Sequence, residues 1–316
     1  MIDEVYYYQR LPDSQAKALY WEMRDSIVSG NVSGSFDLKQ HQADGNTVRA
    51  ALNAGSALRL DRPDFFFLGH RHSAELNGTR LNLSFQTDYT PKQIAWITRR
   101  VDRYLRDLER AVMSPTAWET ERKVYELIAK RYTYKNNHEP HDHNIVAPLL
   151  TKSAVCEGYT SMMMLALRKV GIPCIRVSGT SRGENHCWNI AWVDGRPCHL
   201  DVTWDSPVAG KVAYRYFNLT DAEIQLDHNI TTPGTPICSS GANSFFSRTG
   251  AEFDSAVSAG QYIIRELKLS KRVVRFRLRS RDSVEQCIRS ALRRSPCGSY
   301  QILHDERFHS GTIIRD

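Results

Sequence analysis

Two residues, Asp194-Gly195, constrain this chain more than any others. They separate two strand-like runs, residues 186–193 (His-Cys-Trp-Asn-Ile-Ala-Trp-Val) and 196–204 (Arg-Pro-Cys-His-Leu-Asp-Val-Thr-Trp). Asp-Gly between such runs is a strong two-residue hairpin signal, because the turn needs positive φ at both positions. The turn fixes a register: with Val193 opposite Arg196, Trp188 faces Asp201 and His186 faces Thr203. Strand side chains alternate, so His186, Trp188 and Ile190 share a face with His199, Asp201 and Thr203. Asp201 becomes the diagonal neighbour of His186, about 7–8 Å away at the backbone. An imidazole and a carboxylate can close that gap with a hydrogen bond. The alternative is a polar pair on a solvent-facing hairpin, and Trp188, Ile190 and Trp204 crowd the neighbourhood against it.

A second constraint lies upstream. Cys156-Glu157-Gly158-Tyr159 opens a run, Thr160 to Lys169, that is apolar almost all round and therefore belongs inside a domain. Gly171 stops the helix and Pro173 forbids its continuation. The three methionines 162–164 read as core packing. Cys156 falls at or near the helix N-terminus, where free backbone N–H groups and the helix dipole stabilise a thiolate. The same N–H groups can donate to an oxyanion forming on an attacked carbonyl.

Put in chain order, Ala-Val-Cys156-Glu-Gly-Tyr, Gly171-Ile-Pro, His186-Cys-Trp-Asn and Leu200-Asp201-Val-Thr-Trp resemble the signature of the transglutaminase-like superfamily. Residues 216–221 (Tyr-Phe-Asn-Leu-Thr-Asp) and Asp227-His228 also resemble the segment C-terminal to the core in such proteins. The match is nearest to bacterial members and runs from about residue 120 to 230. The resemblance implies an α+β, papain-like core, with a nucleophile-bearing central helix packed on an antiparallel sheet. It implies Cys156 as nucleophile, His186 as general base and then acid, and Asp201 as the orienting carboxylate. Trp188 and Trp204 would wall the substrate site. A side chain of the oxyanion hole would come from upstream; Tyr132, Tyr134 and Asn144 are all open. The zinc-binding cysteine pairs of peptide N-glycanase relatives are missing, and the chain is too short for the β-sandwich domains of calcium-dependent crosslinking enzymes. The expected chemistry is acyl transfer on peptide or protein substrates with no cofactor and no metal. Hydrolysis by a protease or amidase is favoured over crosslinking.

The remainder of the chain frames that core. Helices are expected over 12–29, 49–60, from Thr90-Pro91 to about 112, and from 115 to about 131, with strands over 65–68 and 80–87. This gives an N-terminal, mainly helical region (1–113), a catalytic core (114–236) and a C-terminal α/β module (237–316). The loop 135–148 carries His138, His141 and His143, but its spacing fits no helix-borne metal pair. Seven cysteines form no CxxC pair, so disulfide staples and structural zinc are not indicated. The residues before 20 lack a basic start and apolar run, and no stretch approaches the ~20 apolar residues of a membrane span; a cytoplasmic location without membrane contact is expected.

Charge is distributed unevenly. Residues 261–316 carry 13 Lys or Arg against 6 Asp or Glu, whereas the preceding 260 balance 29 against 29. In that segment Val274, Phe276 and Leu278 alternate with Arg275, Arg277 and Arg279, as on a strand with one buried face. Ser283 and Gln286 fit a capping box for the next helix. The arginine face could meet nucleic acid or another anionic polymer, or it could be a solvated strand face.

Overall fold

A computed structural model describes residues 5–38, 46–78, 80–205, 207, 210–295 and 298–315. The chain forms two compact units, residues 1–177 and 178–316. The division falls inside a strand.

The first unit begins with helices α1 (Tyr6–Gln9) and α2 (Ser14–Val28), strand β1 (Ser35–Leu38) and helix α3 (Thr47–Asp61). Strands β2 (His72–Asn77) and β3 (Arg80–Phe85) complete an antiparallel sheet of order β1-β3-β2. Leu81, Leu83 and Phe85 are buried at alternate positions of β3, as their spacing predicts. Two local expectations change. Residues 65–68 are buried but not a strand: Phe65 N–H donates to Arg62 and Leu68 N–H to Phe65, closing turns. A short apolar run bounded by turn residues does not reveal its backbone through periodicity. β2, by contrast, is built from His-Ser-Ala-Glu-Leu-Asn, an edge strand too polar to announce itself.

Helix α4 (Pro91–Val112) starts where Thr90-Pro91 predicts, closed by a reciprocal capping box between Thr90 and Gln93. Its stripe of Ile94, Ile97, Val101, Leu108 and Val112 is buried. Thr116 caps α5 (Ala117–Arg131). A short pairing of β4 (Thr133–Tyr134) with β5 (Ser153–Ala154) brackets a 3₁₀ turn, Pro140–His143, and helix α6 (Val146–Leu150). Then comes α7 (Cys156–Lys169), whose residues 158–167 are all buried. Gly158 is needed there: an added Cβ would lie 2.6 Å from Ala154 Cβ and 2.9 Å from the Asp142 carbonyl oxygen.

The second unit is organised by a sheet of order β10-β6-β7-β8-β9. Its strands are β6 (Cys174–Ser181), β7 (Glu184–Val193), β8 (Arg196–Leu200), β9 (Phe217–Leu219) and, after helix α8 (Asp221–Ile224), β10 (His228–Ile230). β7 and β8 form the expected hairpin, paired from Val193↔Arg196 to Asn189↔Leu200. Asp194 and Gly195 both have positive φ, 51° and 73°. β8 stops at Leu200 rather than continuing to 204. The Asp201 carboxylate captures the Thr203 N–H at 2.9 Å, and that local ring replaces strand pairing with a turn.

A helix-and-sheet layer completes this unit. It comprises α9 (Phe245–Arg248), β11 (Glu252–Phe253), α10 (Ala256–Lys268), β12 (Val273–Leu278), α11 (Val284–Arg293), β13 (Tyr300–Asp305) and β14 (Ser310–Arg315). The four strands make a sheet of order β11-β12-β14-β13, and Ile263, Phe276, Ile288 and Ile313 lie at the centre of its own apolar cluster. Ser283 caps α11 as expected, although Glu306 also accepts from the N–H groups of Val284 and Glu285. The arginines of β12 do not form a solvated face. Arg277 is buried and pairs with Glu223, and Arg275 Nε donates to the Val212 carbonyl at 2.8 Å. Arg279, just past the strand and 59% exposed, is turned outward and pairs with Glu252.

The fold is α+β with mainly antiparallel sheets; β4 with β5 and β11 with β12 pair in parallel. No helix among the described residues is long and apolar enough to cross a membrane.

Candidate active site

Cys156 is the first residue of α7, preceded by Val155 at the cap position. No side chain caps this end, and the positive end of the helix dipole there favours a negative charge on the sulfur or on a bound acyl group. Among the described residues Cys156 is half-buried, whereas Cys174, Cys187, Cys198, Cys238 and Cys287 are buried. Burial pushes the Cys287 thiol up to about 11 and the Cys238 thiol higher still, which keeps both protonated and inert.

His186 on β7 and Asp201 just beyond β8 meet as the hairpin register requires. His186 Nε2 and Asp201 Oδ2 are 2.7 Å apart, with both residues buried. Burial by itself would lower the His186 pKa, but the charge and hydrogen bond of Asp201 outweigh it and raise the value above that of a free histidine. Burial would likewise raise Asp201, yet His186 and His228 hold its carboxyl below the usual range. His186 Nδ1 makes no hydrogen bond among the described residues and can take a proton.

Asp201 is fully occupied. Oδ1 accepts from the backbone N–H groups of Thr203 and Trp204, at 2.9 and 3.4 Å. Oδ2 lies 3.0 Å from His228 Nε2 as well as beside His186. Four contacts on one carboxylate leave it a single orientation.

Trp188 and Trp204 flank the histidine. Trp188 is 1% exposed, lies nearly parallel to the His186 ring at a centroid distance of 6.0 Å, and donates from Nε1 to His199 Nδ1 at 3.0 Å. Trp204 tilts over the same ring at 5.6 Å, with the Arg182 guanidinium 4.0 Å above its face.

The upstream candidates are turned to other partners. Tyr132 donates its hydroxyl to Tyr104 at 2.9 Å, and the Asn144 amide donates to Tyr89 at 3.1 Å. Tyr134 is 51% exposed and stacks near Tyr159. None is singled out as an oxyanion donor.

Among the described residues, three sets of side chains converge closely enough to be tested as metal sites. His199–Asp221–Cys238 is closed by hydrogen bonds: Trp188 donates to one His199 nitrogen, and the other sits 2.9 Å from Asp221. In His186–Asp201–His228 the two Nε2 atoms already face the Asp201 carboxylate within hydrogen-bond distance, which accounts for their convergence. The third set, His70–His143–Glu157, is more exposed; His143 Nδ1 lies 2.7 Å from Glu157 Oε2. Arg176 already neutralises Glu157. The adjoining cavity, about 330 Å³, is lined by Arg59, Arg62, Arg71 and Arg176, and that positive charge opposes a dication. His138 and His141 belong to none of the three sets.

Residues 102–202 match the sequence profile of the transglutaminase-like superfamily. This part of the chain is transglutaminase-like. The matched segment begins midway along α4, ends at Val202 and includes Cys156, His186 and Asp201. Among solved structures, the chain is similar to a TGase at 14% identity over 54% of this chain and 50% of that one, with a TM-score of 0.32. It is also similar to a protein from Cytophaga hutchinsonii provisionally described as a cysteine protease, at 12% identity over 45% and 64% of the two chains, TM-score 0.30. A third, provisionally described as a protease from Parabacteroides distasonis, is 11% identical over 41% and 35%, TM-score 0.27. The chain thus spans half the length of the first of these structures. No curated protein matches it.

Two features of the transglutaminase-like segment and its surroundings are not legible in the sequence. Asp227 and His228 are visible as residues, but nothing local shows that β10 brings His228 to Asp201. The Glu157–Arg176 ion pair joins a helix start to a strand 19 residues on, with no repeat or turn to betray it.

Proposed function

We propose that this protein is a cysteine-dependent acyl-transfer enzyme acting on peptide-like amides, with Cys156 as nucleophile, His186 as base and acid, and Asp201 as the orienting carboxylate. The observation that carries this reading is the buried His186–Asp201 pair, at 2.7 Å. It leaves the other imidazole nitrogen open to exchange a proton, and the thiol at an uncapped helix start supplies the partner chemistry.

The reaction balances in two steps. His186 takes the Cys156 proton, the sulfur attacks the amide carbonyl carbon, and backbone N–H groups at the start of α7 receive the oxyanion. The C–N bond then breaks as His186 protonates the leaving amine, and a thioester remains on Cys156. Water, deprotonated by His186, attacks that thioester and releases a carboxylic acid and the free thiol. A primary amine in place of water would give crosslinking. We favour hydrolysis, with a cytoplasmic peptide or protein as substrate.

The test is to incubate the protein with a mixed peptide pool and follow products by mass spectrometry with and without a primary amine. The reading expects new carboxylates that persist when amine is added and vanish in Cys156→Ala. Amine adducts in their place would reassign it as a transferase. Products that survive Cys156→Ala would overturn the nucleophile.

A further inference from the structure

His228 stands between two carboxylates. Its Nε2 is 3.0 Å from Asp201 Oδ2 and its Nδ1 is 2.6 Å from Asp227 Oδ1. A neutral imidazole has one N–H and one lone pair, so it can donate to only one of two such acceptors. Its side chain is 0% exposed, so bulk solvent does not stand in for the missing donor. We propose that His228 is a buried imidazolium that acts as a positioning residue, fixing the Asp201 carboxylate beneath His186 and offsetting its charge.

His199, whose ring also packs near Trp188, supplies an internal contrast. One of its nitrogens accepts the Trp188 N–H, so the ring is satisfied when neutral, and burial lowers its pKa. For His228, burial pulls the same way, but hydrogen bonds and charge from Asp201 and Asp227 prevail and raise it. The two rings lie in one sheet environment and take opposite charge states because their partners differ.

The surrounding charges are consistent with this. Asp227 Oδ2 accepts from the Tyr216 hydroxyl at 2.7 Å and from Arg307 at 3.2 Å, and Arg182 lies 3.9 Å away. The groups facing His228 are therefore Asp201, Asp227, His186, His199 and Tyr216, with Arg182 and Arg307 behind Asp227. Asp227, His228, Asp201 and His186 form a line of alternating charge that ends on the proposed base. With His228 charged, Asp201 is already half-compensated, and His186 holds its own proton less tightly than an isolated His–Asp pair would. That poises His186 to give the proton back to a leaving amine.

This inference rests on the reading of His186 as base, so its test uses signals that need no catalysis. Nitrogen-15 NMR of the imidazoles in the full chain should show both His228 nitrogens protonated across neutral pH. A neutral His228 tautomer there would overturn the proposal, and this measurement requires no substitution. In His228→Gln, which keeps a donor toward Asp201 but removes the charge, the His186 protonation constant should rise about tenfold. That is the size expected on removing a like charge some 5 Å away in a partly screened site; the ring centroids are 5.4 Å apart. An unchanged or lowered constant in a folded variant would also overturn it. Cys156 alkylation that ignores His186 would remove the catalytic reading instead, and is measured separately from the NMR signals.

Discussion

The individual side chains differ in how openly the sequence declares them. Cys156 is declared by its place before a buried run, and His186 and Asp201 by a turn that sets their register. His228 is not, because it reaches Asp201 from 27 residues away through a strand of only three residues. Glu157 is a further case. Burial would raise its pKa, but the Arg176 charge and the His143 hydrogen bond hold the carboxyl well below the usual range. A carboxyl depressed in the folded state adds stability above its ordinary value of 4.5, and loses it as pH falls toward the folded value. Glu157→Gln should therefore lower stability by about 2 kcal/mol at neutral pH, and the gap to wild type should close in acid. Denaturant melts at several pH values test this; a gap that stays constant would assign the loss to packing.

At the scale of elements, the long periodic helices and the Asp-Gly hairpin were legible because each carries its own start, stop or turn. The strand expected through Trp204 was not, since a side chain, Asp201, diverts the backbone after Leu200. Close approaches were equally hidden. Gly179 on β6 pairs with Ile230 of β10, and a Cβ there would fall 1.9 Å from the Asn229 carbonyl oxygen and 3.0 Å from the Trp188 ring. Gly179→Ala should push β10 away and cost roughly 2–3 kcal/mol or more, with the His228 ring signals shifting in the same spectrum. Gly260 in α10 meets nothing within 4 Å. Gly260→Ala should raise stability by about 0.5–1 kcal/mol, and thermal melts of the two variants would move in opposite directions.

Across the whole molecule, composition located the basic surplus in the last 56 residues but not its use. The alternation on β12 correctly gave one apolar face. It could not show that Arg277 on the other face would meet Glu223, or that Arg307 would reach Asp227 and Arg215 meet Asp305. These pairs tie the C-terminal layer to α8 and to the segments just before β9 and β10 in the same unit. Arg277→Ala should cost about 3 kcal/mol by removing a buried side chain together with its ion pair to Glu223. Arg279→Ala, at an exposed site, should stay within about 0.5 kcal/mol. Equal effects in urea titrations would contradict the assignment of structural work to Arg277.

Exposure complicates the simplest test of the triad. Cys156 is the least buried cysteine among the described residues, so preferential labelling would follow from access alone. The dependence on His186 is what separates a nucleophile from an accessible thiol. The decisive measurement is the rate of iodoacetamide labelling at Cys156, read by peptide mass spectrometry in wild type and in folded His186→Ala. A thiol activated by His186 should label at least about tenfold more slowly in the variant at neutral pH. An unchanged rate would contradict the triad.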